Sequence, residues 1–489
     1  MIDHLVSQPE GKTLEFKRDL SSPKPLLKTL VAFANTAGGR LVIGVSDDRQ
    51  IAGVKDPLAE EERLCNLIAD SIAPRLVPNV ELTTIAGKTL LIAEVFLSNS
   101  RPHFLRSDGP ETGVFVRLGS TNRQADRELV AELQRSAAGV AFDEMPMLEL
   151  SADDLDLTAA AGLFPGKRIM DDKGLLTLKL LRKEQGGLVP TKGAVLLFGK
   201  DRIAHFPDAW VQCGRFTGTD KSEIFDHTEF HDPMPQAVDS IMLFLKKHAM
   251  RGADLSQIRR KDVWSIPLTI LREVVINALV HADYSQRGGP LRVAFFDDRI
   301  EIENPGILLP GMTIEDMKQG VSKIRNPVIA RVFRELGLME QWGSGVRRIF
   351  NQAADQKLPD PQITEIGMRV RFVVPLAVPI SVAKGKNAGR KEKRPASKVK
   401  KATQSPTQSP TQSGDPILRM LELLLDGPLS SGALREKLGL KHRPTFRVNS
   451  LHPALKKGYV KYTISKKPNS RLQKYQLTGK GRALVLGKP

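Results

Sequence analysis

The feature that most constrains this chain is a stretch that cannot fold. Pro379 to Gly414 opens with a basic half and closes on Thr-Gln-Ser-Pro repeats at Thr403 and Thr407, then Thr411-Gln412-Ser413-Gly414. Such a composition cannot bury enough apolar surface to offset the entropy of ordering it. The chain is therefore expected to fold as separate bodies on either side of a linker, 379–414. A length of 489 residues suggests about two to four domains. From Ala383 to Lys401, nine Lys/Arg stand against one Glu; from Gly414 to Pro489, sixteen stand against four Asp/Glu. These two surpluses already exceed the +18 of the whole chain, so the body before the linker is close to neutral. A basic tail on a near-neutral body points to nucleic acid. A membrane surface would attract the same charge, but no apolar amphipathic anchor accompanies it, and no run approaches roughly 18 apolar residues. Met1-Ile2-Asp3-His4-Leu5 lacks a basic start with an apolar run, so no signal peptide is read. Cys65 and Cys213 have neither metal nor disulfide spacing, which fits a reducing cytoplasm.

Within the body, Ser265 and Pro267 are helix-start residues, and Leu268, Leu271, Val275 and Leu279 recur at helical spacing. Glu273 and Asn277, four apart, share one face. The pair reads equally as the solvated edge of an amphipathic helix or as chemistry. In the second reading, Asn277 offers an oxygen to Mg²⁺, which prefers oxygen ligands, and Glu273 takes a proton from water. Leu291 to Phe296 and Ile300 to Ile302 read as a hairpin around Asp297-Asp298-Arg299, ended by Asn304-Pro305-Gly306. Gly343-Ser344-Gly345 precedes a helix at Val346, where backbone N–H groups and the helix N-terminus suit a phosphate. Asn326-Pro327 predicts a capped helix over Val328 to Leu336, and Met368 to Val374 a closing strand. GxxxxGK[ST] is absent, so no helicase motor of the ordinary kind is visible.

This order of helix, hairpin, Asn-Pro-Gly and Gly-Ser-Gly resembles the GHKL (Bergerat-type) ATPases. More closely, it resembles the divergent branch in bacterial Schlafen/AlbA-type transcriptional regulators, often labelled RecG-like helicases. The resemblance implies a GHKL-like α/β sandwich binding ATP and Mg²⁺ over 191–378. By it, Glu273 is the general base of a slow ATPase and Asn277 the Mg²⁺ ligand. Asn304 stands where the larger family has an adenine-binding Asp, with Gly306 beside it. Gly343, Ser344 and Gly345 line the phosphates, and Arg325 reaches toward them.

The first 136 residues mix helices and strands: a helix over Leu26 to Asn35, a turn at Ala37-Gly38-Gly39, and strands at Leu41 to Val45, Leu90 to Phe96 and Val114 to Leu118. Leu14-Glu15-Phe16-Lys17, Ala32 to Gly39 and Val114 to Ser120 resemble the Schlafen/AlbA-type domain. That likeness implies nucleic-acid binding, DNA or RNA, with Lys17 and Arg40 as candidate phosphate contacts. It also implies a second reading, a metal-dependent nuclease using Glu10, Glu15 and Asp47. A third reading is a nucleotide-inactive scaffold that bridges DNA and a partner.

Residues 137–190 read as a connecting helical and loop region, with an acidic surface run Asp153 to Asp156 and a helix over Leu175 to Leu181. His205, His227 and His231 near Asp226 and Asp232 read as polar loop residues rather than a metal site. After the linker, 415–489 reads as a winged helix-turn-helix. Its helices cover Asp415 to Asp426, Ala433 to Leu438 and Pro444 to Lys457, with a hairpin of Tyr459 to Ile464 and Lys474 to Leu477. Arg443, Thr445 and Arg447 would open the recognition helix, and Lys466, Lys467 and Arg471 would lie in the wing. The chain as a whole is thus expected to be an α+β multidomain, cytoplasmic, ATP- and DNA-binding regulator, off the membrane. A homo-oligomer is compatible with it.

Overall fold

The structure, a computed structural model, describes residues 2–164, 170–254, 261–339, 345–377, 420–425, 427–438, 451–463 and 474–486. The chain divides into two units, Met1–Asn387 and Ala388–Pro489, and the division falls inside the expected linker.

The first unit opens with β1 (Leu14–Lys17), α1 (Pro23–Asn35), β2 (Gly39–Ile43), α2 (Pro57–Ser71), β3 (Asn79–Ile85) and β4 (Lys88–Val95). The sheet order is β1-β2-β4-β3, parallel at the first pair and antiparallel thereafter. Pro23 presets the first turn of α1, and Leu26, Leu30, Val31, Phe33 and Ala34 are buried in it. Each such side chain contributes about 1.5–3 kcal/mol when fully removed from water, alanine less. Gly38 ends the helix at φ 75°, and a Cβ there would lie 2.8 Å from the Val95 carbonyl. Only glycine turns the chain so closely.

Next come the hairpin β5 (Phe115–Leu118) and β6 (Thr121–Gln124), then α3 (Arg127–Ala137), capped by Asp126, which accepts from Leu129 N–H at 2.8 Å. Val114, Val116, Leu129 and Leu133 form one apolar cluster with Ile307. The first region and the later one therefore share core rather than meeting through loops.

The connecting residues 137–190 also contribute to the core. Leu155, Ala160, Leu175, Leu178, Leu180 and Leu181 are buried in the main core. The acidic run is a short 3-10 turn that keeps its aspartates out while Leu155 anchors it. The expected helix over Leu175 to Leu181 is instead Asp172–Thr177, followed by a strand from Leu181. Lys179 takes a left-handed φ of 58° and breaks the helix there.

The second part of this unit comprises α4 (Lys192–Phe198), β7 (Val211–Phe216), β8 (Ile224–Phe230), α5 (Met234–Ala249), α6 (Leu268–His281), β9 (Leu291–Phe295), β10 (Arg299–Pro305), α7 (Ile314–Gln319), α8 (Pro327–Glu335), α9 (Gly345–Asp355), β11 (Gln362–Ile366) and β12 (Arg369–Pro375). Six strands run β8-β7-β9-β10-β12-β11, with β7 and β9 parallel and every other pair antiparallel. Helix α6 packs against α5, α9 and β10. Ile270, Leu271, Val274, Val275, Ile276, Ala278, Leu279 and Val280 are all buried. This apolar girth exceeds the single predicted face, as expected for a helix between layers.

The cap of α8 also differs from expectation. Asn326 makes no side-chain cap; its amide donates to the Val280 and Ala282 carbonyls, both at 2.8 Å. The N–H groups of Val328 and Ile329 instead donate to Asp143 Oδ2, at 2.7 and 3.0 Å. Burial pushes the Asp143 carboxyl up to about 7, against the opposing effect of those N–H groups. A raised folded value means that its stabilising contribution is full below the ordinary carboxylate range and is lost as pH rises through about 7. Asp143→Asn keeps an acceptor for both N–H groups. It is expected to flatten the pH dependence of the urea midpoint between about pH 4 and 7; an unaltered slope would assign that titration elsewhere.

In the second unit, β13 (Leu429–Ser430), α10 (Ser431–Lys437), α11 (His452–Lys456), β14 (Val460–Tyr462), β15 (Lys474–Leu477) and α12 (Gly479–Leu486) are described. The strands form one antiparallel sheet, β13-β15-β14. Ser430 caps α10 by accepting from Ala433 N–H at 3.2 Å. Met420, Leu421, Leu424, Leu434, Leu451, Ala454, Val460 and Tyr475 make the core.

Candidate nucleotide site

Glu273 and Asn277 lie on the polar strip of α6 and line a cavity of about 100 Å³ together with His281, Asn304, Arg325 and Gly345. The Asn277 amide nitrogen donates to the Glu273 carbonyl at 2.8 Å and to Glu273 Oε1 at 3.1 Å. This fixes the carboxamide through its nitrogen, and among the described residues Oδ1 has no hydrogen-bond partner. The other Glu273 oxygen accepts from Arg348 Nη2 at 2.5 Å. Helix α9 begins directly over the pair. A Cβ on Gly345 would lie 2.0 Å from Glu273 Oε1 and 3.3 Å from the Asn277 amide nitrogen. Glycine is therefore required where α9 approaches, and the Glu273 carboxylate holds the anion position that a helix N-terminus favours.

Asn304 is buried at the end of β10 and makes only long contacts, to the His281 carbonyl at 3.4 Å and the Pro305 carbonyl at 3.5 Å. Gly306 follows at φ 97°, against Asp283. Burial, with the Arg325 charge adding to it, pushes His281 down to about 4, so it is neutral at pH 7.

Arg325 departs from its expected role. It is buried, and its guanidinium donates to Glu132 Oε1 of α3 at 2.6 Å and to the Ile307 carbonyl at 2.5 Å. A group so engaged ties the cavity wall to the first region rather than reaching for phosphate. Arg348 and His281 are wall residues that sequence reading passed over. Arg348 stands one helical turn beyond Gly345, and it meets Glu273 only through the packing of α9 on α6.

The candidate nucleic-acid residues that are described are paired. Lys17 contacts Glu15 and the Phe16 carbonyl at 3.0 Å, and Arg40 donates to Glu94 at 2.8 Å. The nuclease trio is not assembled. Glu10 accepts from the Phe16 N–H at 2.9 Å, Glu15 is buried against Arg117, and Asp47 is exposed. Among the described residues no group of three or more His, Cys, Asp or Glu is placed to hold a metal ion. None of the described helices is long and apolar enough to cross a membrane. Gly343, Ser344, Arg443, Thr445, Arg447, Lys466, Lys467 and Arg471 lie outside the described residues.

Sheet, helices and cavity define a mixed α/β multidomain protein. Residues 10–126 match the Schlafen AlbA_2 family. Residues 288–374 match HATPase_c_4, the "ATP-dependent DNA helicase recG C-terminal" family. The chain thus carries a Schlafen/AlbA_2 domain and a RecG-like ATPase-type domain. Residues 415–478 match the Fic-like C-terminal domain family, "Filamentation induced by cAMP protein Fic-like", a likeness not seen in the sequence. No curated protein matches. Three solved structures are similar. The DIP2311 protein of Corynebacterium diphtheriae is 18% identical over 98% of both chains, with a TM-score of 0.40. A Fic family protein of Desulfovibrio desulfuricans is 41% identical over 14% of this chain and 21% of its own, at 0.13. The N-terminal domain of a RecG-related protein of Nitrosomonas europaea is 27% identical over 25% of this chain and 90% of its own, at 0.21.

Proposed function

We propose that this chain is an ATP- and DNA-binding transcriptional regulator in which Mg-ATP at the α6–α9 cavity sets how its terminal modules engage nucleic acid. The carrying observation is the Asn277 carboxamide, pinned through its nitrogen beside Glu273, with its oxygen unpartnered among the described residues. A neutral oxygen next to a carboxylate suits a hard cation such as Mg²⁺, which would neutralise phosphate charge there. The enclosed volume, about 100 Å³, is below the ~300 Å³ at which ligand pockets usually begin. Nucleotide entry therefore requires α9 to shift and Arg348 to leave Glu273. Once released, Glu273 can accept a proton from water, giving slow hydrolysis. Asn304 would meet the base.

The ion pair between Arg325 in the cavity wall and Glu132 of α3 supports communication with the Schlafen/AlbA domain. Binding moves this equilibrium only as far as its affinity differs between the two states. In the second unit, the order of short strand β13, helices α10 and α11 and the two-stranded ribbon β14-β15 supports a winged-helix DNA reader, with the basic balance of the tail as its electrostatic footprint.

The test is equilibrium binding of a labelled ATP analogue with Mg²⁺. Asn277→Ala is expected to weaken it by about tenfold, the equivalent of about 1.4 kcal/mol. Wild-type protein that binds no nucleotide would end this reading.

A further inference from the structure

A second cavity, of about 430 Å³, opens beyond the C-terminal end of α6 and has no part in the reading above. Leu279, Ala282 and Asp283 belong to its wall, so the helix that carries Glu273 and Asn277 ends against it. Its volume lies in the range of small-molecule sites.

The wall is aromatic, with Phe142, Phe206, Trp210 and Phe230. Trp210 is braced by stacking on His231, ring centroids 5.4 Å apart. Into this apolar setting the chain places a lysine. The Lys192 ammonium lies 4.3 Å from the centre of the Phe142 ring and 3.9 Å from the Met145 sulfur, and among the described residues no carboxylate is within ion-pair distance of it. Arg135 faces the same ring at 5.3 Å but is held by Glu132 and Ser285, at 2.8 and 2.9 Å. Burial first, and then the nearby Arg135 charge, lower the Lys192 ammonium from its ordinary value.

The other ionised groups around the cavity are accounted for. Arg202 donates to the Ala209 and His231 carbonyls, at 2.6 and 2.7 Å. Asp208 accepts from Gly288 N–H at 3.0 Å, Asp232 from Ser240 at 2.7 Å, and Asp283 Oδ1 from Ser285 at 2.6 Å, while Asp283 Oδ2, buried without a hydrogen bond, lies 3.7 Å from Arg325 Nη1. Glu149 and Arg287 are exposed at the rim. Gln286 in the same wall has a buried amide nitrogen with no partner. Among the described residues, the wall therefore holds one donor with no partner, the Gln286 amide nitrogen, and a cation whose contacts are a thioether sulfur and an aromatic ring. An occupant that completes it supplies acceptors, a negative charge and a flat apolar body.

We propose that this cavity is a small-molecule site for a planar aromatic carboxylate, with Lys192 as the group that recognises its charge.

The test uses the full chain and isothermal titration with 2-naphthoate and its uncharged counterpart 2-naphthamide. The acid should bind saturably, one per chain, and the amide about tenfold more weakly, the usual size of a charged hydrogen bond lost. Lys192→Met should bring the acid down to the affinity of the amide, while Lys192→Arg retains the preference for the acid. Lys192 is only partly buried and stands at the first position of α4, so both variants are expected to melt near wild type. The acid–amide comparison on wild type needs no variant at all. Equal affinity for acid and amide, binding of the acid unaffected by Lys192→Met, or no binding of the acid at millimolar concentration would each overturn the proposal. The nucleotide reading stands or falls separately, on the ATP analogue.

Discussion

Glu132→Ala is expected to lower the unfolding free energy of the first unit by about 3–5 kcal/mol, the range for removing one partner of a buried ion pair. Both members are enclosed, with side-chain exposures of 6% for Arg325 and 9% for Glu132. Deleting the carboxylate leaves the guanidinium one short bond, to the Ile307 carbonyl, and a carboxylate at 3.7 Å, Asp283. It also removes the ion-pair partner of Arg135, leaving it the Ser285 hydroxyl. Domains are stable by only about 5–15 kcal/mol, so the loss would be visible as a large shift of the urea midpoint. Most of that loss is the cost of an unpaired buried charge rather than the net worth of the pair. The double variant Glu132→Leu/Arg325→Met should therefore recover much of it, because Leu129, Leu133 and Ile307 already make the surroundings apolar. A loss below about 1 kcal/mol for Glu132→Ala would mean that Asp283 moves in to replace Glu132.

The second large effect is expected at Glu15. Its carboxylate pairs with Arg117, whose side chain is 1% exposed. Arg117 also donates to the Gly11 carbonyl at 3.0 Å and to Asn122 at 2.9 Å, and its backbone N–H donates to Thr36 Oγ1 at 2.9 Å. Next to Thr36, Asn35 bonds both ways to the His103 backbone, at 2.7 and 2.9 Å, and to the Phe115 carbonyl at 3.0 Å. Glu15→Ala should cost about 3–5 kcal/mol, with Glu15→Gln in between because it retains an acceptor. Loss of a nuclease activity in Glu15→Ala would therefore say nothing without a denaturation curve beside it. Unchanged stability in Glu15→Ala would return this residue to the functional candidates.

That network explains what was legible in the sequence and what was not. Three segments stood out near the N-terminus: Leu14 to Lys17, Ala32 to Gly39 and Val114 to Ser120. They do meet in space, but through Glu15, Asn35, Thr36 and Arg117 bonding one another and the backbone. Residue types at fixed places announce that they are needed; they do not say whether the need is chemical or architectural. The hairpin at Asp297 to Arg299 and the α6 pair Glu273/Asn277 were readable because both are local, a turn in one case and a four-residue helical step in the other. Arg348 on Glu273, Glu132 on Arg325 and Asp143 under α8 were not readable, because each joins residues 75 to 193 positions apart. Asn326 has a cap's residue type in a cap's place. It failed as a cap because two buried carbonyls at the end of α6 needed a donor more.

The parallel pairing of β7 with β9 sets an order of events during synthesis. Arg215 meets its neighbour in β9 80 residues further along the chain, and α5 and α6 lie in between. At ribosomal speeds of about 5–20 residues per second, β7 waits roughly 4–16 s for that partner. Over part of that interval α6, apolar nearly all round, has been made while the strands that will cover it have not. Non-local pairings of this kind are slow to reward the chain. The residues that would handle nucleotide thus sit on the segment most in need of shelter while the protein is being born.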